Sequence, residues 1–110
     1  MTPGYRVELT EAAQTDLNEL IDYVAQHDAP LKALQLLAQI ESALASLQVF
    51  PERGAHTKEL LALGNREYRE TYFKPYRIIY KVLPAMVYVY VIADGRRDLR
   101  SLLARRILQS

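Results

Sequence analysis

Cysteine is absent from this chain. Disulfides and thiolate metal sites are thereby excluded, and a reducing cytoplasm is the simplest compartment to expect. Histidine is nearly absent too: His27 and His56 stand far apart without neighbouring carboxylates, which argues against a metal enzyme. Four glycines, none suitably spaced, leave no phosphate-cradling loop. No apolar run approaches the ~18 residues of a membrane span. The amino-terminal MTPGYRVEL lacks the basic and apolar pattern of a secretory signal. Ser42, Ser46, Ser101 and Ser110 fall in helices or at the terminus, away from either histidine in sequence, so no nucleophilic triad is marked. Paired carboxylates for glycoside chemistry are equally unmarked, and no cofactor is expected.

What the chain does have is an ordinary globular composition, 50% hydrophobic and 25% charged over 110 residues, enough for one domain and one core. Its charge is lopsided. Residues 1–48 hold seven acids against Arg6 and Lys32, whereas residues 49–110 hold twelve bases against six acids. Arg96, Arg97, Arg100, Arg105 and Arg106 crowd the carboxy terminus, which points to an acidic partner for that half.

The stretch from Arg66 to Arg97 carries three strand-length runs rich in Tyr, Val and Ile: Tyr68 to Phe73, Tyr76 to Leu83 and Met86 to Ala93. Links as short as Lys74-Pro75 and Pro84-Ala85 require antiparallel hairpins. In the middle run Ile78, Tyr80 and Val82 share one face, and Arg77, Ile79 and Lys81 the other. In the last run Val87, Val89 and Val91 oppose Tyr88, Tyr90 and Ile92, so both faces are apolar and the strand should be covered on both sides.

Ahead of this meander, Tyr5, Val7 and Leu9 alternate with Arg6, Glu8 and Thr10 as in a half-buried strand. Thr10 is a candidate N-cap for a helix whose buried stripe is Ala13, Leu17, Leu20, Ile21 and Val24, ending near His27-Asp28. Pro30 opens a second helix with Ala33, Leu37, Ile40, Leu44 and Leu47 as its seam, widened by Leu34 and Leu36. From Phe50 to Asn65 the pattern is mainly loop, with one helical turn within Lys58 to Leu63. Asp98 can cap a last helix with Leu99, Leu102, Leu103 and Ile107 on its apolar stripe. The expected order is β-α-α-β-β-β-α: an α+β domain with an antiparallel sheet packed against an amino-terminal helical hairpin, plus a carboxy-terminal helix.

Arginine and tyrosine remain as the candidate functional chemistry. Arg66, Arg69, Arg77, Arg96 and Arg97 belong to the sheet or its rim, interleaved with Tyr68, Tyr72, Tyr76, Tyr80, Tyr88 and Tyr90. Guanidinium groups grip phosphates and carboxylates bidentately, and tyrosine faces can stack on unpaired bases. The structural alternative is that the tyrosines fill core and cross-strand pairs while the arginines pair with Glu67, Glu70 or helix acids.

YRVELTEAAQTDLNELIDYVA, PYRIIYKV and VIADGRRDLRSLLARRIL together resemble the toxin component of bacterial RelE/ParE-type toxin–antitoxin modules. The resemblance implies a small growth-inhibiting protein, neutralised by a cognate antitoxin. RelE-like members cleave messenger RNA in the ribosomal A site, and Arg77 and Arg97 match two of their arginines. Where such members carry two lysines on the preceding strand, this chain has Tyr68 and Glu70, and Leu103 replaces their late tyrosine. An RNase needs a group that exchanges protons near neutrality, which arginine does not. ParE-like members poison DNA gyrase, and Asp98-Leu99, Leu103 and Arg106-Ile107 reproduce the spacing of their last helix. The resemblance therefore favours a ParE-like gyrase inhibitor, with ribosome-dependent RNA cleavage and an inert interaction module as alternatives. It implies an antitoxin with an acidic amphipathic segment, covering the sheet face opposite the hairpin or a groove beside it. Arg66, Arg69, Arg77, Arg96, Arg97, Arg100, Arg105 and Arg106 are the residues expected to meet antitoxin or target.

Overall fold

The computed structural model describes residues 4–108; Met1–Pro3 and Ser110 of the readings above lie outside them. Five strands form one sheet in the order β1-β5-β4-β3-β2: β1 Arg6–Leu9, β2 Ala55–His56, β3 Tyr68–Phe73, β4 Tyr76–Val82 and β5 Met86–Asp94. β3, β4 and β5 make the expected antiparallel meander. β1 adds to it in parallel alongside β5, so β5 is interior.

Helices α1 (Glu11–His27) and α2 (Pro30–Val49) form the hairpin. Thr10 caps α1 by accepting from the Ala13 N–H at 3.0 Å, and Pro30 begins α2 where a missing donor costs nothing. The hairpin buries Ala13, Leu17, Val24, Ala33, Leu36, Ile40 and Leu47 against Ile78, Tyr80, Val87, Val89 and Ile92. Leu34 departs from the expected seam. It is 64% exposed, because the buried line of α2 runs through Ala33, Leu36 and Ile40 instead.

The opposite sheet face carries a second core. Leu60 of α3 (Lys58–Leu61) and Leu99, Leu102 and Leu103 of α4 (Leu99–Leu103) cover Tyr68, Ile79, Val91 and Ala93. Asp98 caps α4 by accepting from Ser101, and the helix continues into a π-helical turn, Ala104–Leu108. Strict alternation places Val91 with Val87 and Val89, but the structure places it on the other face. A β-bulge is the cause: Ile79 pairs with Val91 and Tyr80 with Val89, so Tyr90 is an extra residue and the alternation reverses after it.

Candidate functional site

Arg77 sits on β4 facing the second core, and it is only 5% exposed. Its Nη1 and Nη2 donate to the two oxygens of Glu59 on α3 at 2.9 and 2.7 Å, and Nη2 also donates to Glu70 on β3 at 2.5 Å. Only Nε is left without a partner. Hydrogen bonding to Glu59 holds the Arg77 guanidinium above its ordinary range against the opposing effect of burial. The same bond holds the Glu59 carboxyl below its own range. A guanidinium enclosed by two carboxylates is not presented to a phosphate or to a partner's acids. The expectation that Arg77 meets antitoxin or RNA is thus at odds with its burial. Next to this cluster, Tyr72 is exposed, and its hydrogen bond to Glu70 pushes the hydroxyl up, away from proton exchange near neutrality.

The other candidates divide into bound and free. Arg69 donates to the carbonyls of Glu52 and Gly54 at 3.3 and 2.7 Å and so braces the loop before β2. Arg96 folds onto Asp94 through Nε and Nη2 at 2.9 and 2.6 Å, holding that carboxyl below its usual range. Arg105 reaches back to the Ser101 carbonyl at 3.4 Å. Arg106 is half-buried and chelates Asp16 of α1 at 2.7 and 3.2 Å. Arg66, Arg97 and Arg100 are exposed and, among the described residues, make no ion pair.

The tyrosines likewise serve the sheet more than its surface. Tyr80 is fully buried and accepts from the Gly54 N–H at 3.1 Å. Tyr68, Tyr90 and Tyr88 form an edge-to-face ladder with successive centroids 5.2 Å apart. These rings line the part of the second face that α3 and α4 leave half-open.

Several concave surfaces remain, and Arg97 also lines a small hollow beside Asp16, Glu19 and Asp94. On the hairpin side, Leu17, Ile21, Leu37 and Leu44 floor a groove of about 580 Å³, rimmed by Asp22 and Glu41. A smaller hollow of about 270 Å³ shares Leu9, Glu41 and Leu44 and continues along β1 past Val7. On the other side, Lys58 of α3 and Arg97 and Arg100 beside α4 line a cleft of about 430 Å³. The sequence offered Glu70 and the helix acids as partners for the arginines, as Arg77 and Arg106 show, but marked neither Lys58 nor Glu59. Glu59 lies in the stretch read mainly as loop, and no local pattern signals a partner eighteen residues away. Among the described residues no group of acids and histidines is arranged to hold a metal ion, and no helix is long and apolar enough to cross a membrane.

This architecture recurs in solved toxin–antitoxin structures. The chain is similar to one from the chromosomal ParDE system of P. aeruginosa, with a TM-score of 0.68 at 19% identity, covering 84% of this chain and 98% of that one. It is also similar to a chain of the RelBE2 toxin–antitoxin complex of Mycobacterium tuberculosis, with a TM-score of 0.60 at 21% identity, covering 86% and 94% respectively. At such identities the likeness establishes the fold alone. No curated protein matches the sequence. The model of the ParE toxin of the type II toxin–antitoxin system parDE matches residues 7–99, and the chain belongs to that family.

Proposed function

We propose that this protein arrests DNA gyrase by docking to it, and that a cognate antitoxin holds it inactive. Family membership supports a toxin, and the state of Arg77 supports docking over RNA cleavage. The one arginine of the sheet centre that the RNase reading requires is enclosed by Glu59 and Glu70. Its exposed neighbour Tyr72 is tied to Glu70 in its protonated form. Charge stabilisation without a proton carrier is half of an RNase site.

The antitoxin segment belongs in the hairpin groove. Its apolar floor suits the apolar stripe of an amphipathic segment that orders as it binds. Asp22 and Glu41 on the rim favour basic or neutral flanks there, which departs from the acidic segment expected from sequence. Gyrase supercoiling in the presence of purified protein tests the target: inhibition with accumulation of cleaved DNA is expected. Discrete truncated messages in a programmed translation extract, with supercoiling intact, would replace this reading by the ribosomal one.

A further inference from the structure

The cleft between α3 and α4 gathers three cations on one concave surface. Lys58 comes from α3, and Arg97 and Arg100 from the stretch that opens α4; all three are exposed and make no ion pair among the described residues. The same cleft holds two acids, each with a partner of its own. Glu59 is held by Arg77 from beneath, and Asp98 accepts from the Ser101 hydroxyl at 2.8 Å as the cap of α4. Arg77 shares its single charge between Glu59 and Glu70, so the acids reduce the positive charge of the cleft without cancelling it: three cations line it against two carboxylates. One turn further along, the Arg105 guanidinium lies back over Ser101, extending the cationic surface along the helix.

We propose that this cleft binds the phosphodiester backbone of duplex DNA. A row of unpaired guanidinium and ammonium groups suits successive phosphates, which it grips through charge-assisted hydrogen bonds without reading sequence. The remaining lining is Ala62 and Leu99, with no aromatic ring on which an unpaired base could stack, so the fit is to a duplex backbone and not to a single strand. The inference deepens the gyrase reading, since gyrase is a DNA-bound target, but its test contains no gyrase and the two fail separately.

Fluorescence anisotropy of a short labelled duplex, titrated with purified toxin at stepped salt, reads the interaction. Three phosphate contacts give a slope of log affinity against log salt of about −2 to −3. Lys58→Gln, Arg97→Gln and Arg100→Gln each lower the slope by about one, and the triple variant weakens binding about tenfold or more. Arg100→Lys restores most of what Arg100→Gln loses, and Lys32→Gln, an exposed cation on α2 outside the cleft, changes nothing. Because all four side chains are exposed, circular dichroism of the variants should match the parent. Absent or salt-independent binding overturns the proposal, as does an equal effect from Lys32→Gln. Tighter binding of single-stranded RNA would reassign the cleft to RNA, and displacement by poly-glutamate at equal charge would reassign it to an acidic peptide.

Discussion

Arg106, in the last turn described, chelates Asp16 on the first helix across ninety positions of sequence. The pair stands where β1 stops. The Thr10 N–H takes the Val89 carbonyl at 2.9 Å, and beyond that point β5 has no strand on this side. Arg106 donates instead to the Tyr90 carbonyl at 3.1 Å, and Asp16 accepts from the Ile92 N–H at 3.0 Å. Two side chains thus complete the hydrogen bonding of the bulge that reverses β5, and they tie the carboxy-terminal helix to the hairpin.

Truncating either member strands the other together with a backbone group. Arg106→Ala and Asp16→Ala are each expected to cost about 1–3 kcal/mol. Urea denaturation of both single variants and the double variant checks this, with a positive coupling energy expected because the two act as one unit. Additive losses would mean that the pair is incidental and that the π-helical turn is held by Ile107 and its apolar neighbours.

The Arg77 cluster behaves as a buried ionic brace. Removing the guanidinium leaves two carboxylates facing each other in the second core, so Arg77→Ala should cost about 3–5 kcal/mol. The folded-state Glu59 carboxyl lies below its unfolded value, so its contribution is complete above the ordinary carboxylate range. It is lost as pH falls through the lowered value. Between about pH 5 and pH 2, stability should therefore fall less steeply in Glu59→Gln than in the parent. Chemical denaturation at stepped pH measures both slopes, and parallel curves would remove Glu59 as a source of acid sensitivity.

Gly54 illustrates a constraint of space. A β carbon there would collide with the Glu70 carbonyl and crowd the Tyr80 hydroxyl, because the loop lies directly on β3 and β4. Gly54→Ala is expected to lower stability by about 1–3 kcal/mol through the shift it forces. Tyr80→Phe, which removes only the hydroxyl that Gly54 hydrogen-bonds, should cost about 1 kcal/mol. A Gly54→Ala protein with an unchanged thermal midpoint would show that the loop yields freely.

Sequence periodicity located nearly every element because the hairpin and the meander are locally determined. Thr10 and Asp98 mark their helices by capping chemistry, and the strand limits follow from the short links. Two things had no local signature. The extra residue at Tyr90 leaves composition unchanged while moving Val91 to the opposite core. The fate of Arg77 and Arg106 depends on acids brought near only by folding, Glu59 and Glu70 for the first and Asp16 for the second, whereas Arg96 takes its neighbour Asp94. Eight arginines that look equivalent in sequence therefore divide into structural braces and a smaller free set around Arg97 and Arg100.

The hairpin groove gives the last test, and its rim permits one without disturbing the core. Asp22 and Glu41 are both exposed, whereas the floor residues Ile21, Leu37 and Leu44 are half-buried and pack against the first core. Asp22→Lys and Glu41→Lys should leave the unfolding free energy in urea within about 0.5 kcal/mol of the parent, as surface changes do. If a basic-flanked antitoxin segment lies in the groove, the double charge reversal should weaken its affinity at least tenfold, mainly through slower association. Calorimetric titration of the purified antitoxin into each variant separates the outcomes. An unchanged dissociation constant would move the antitoxin off the groove, to the half-open tyrosine face beside Tyr88 and Tyr90.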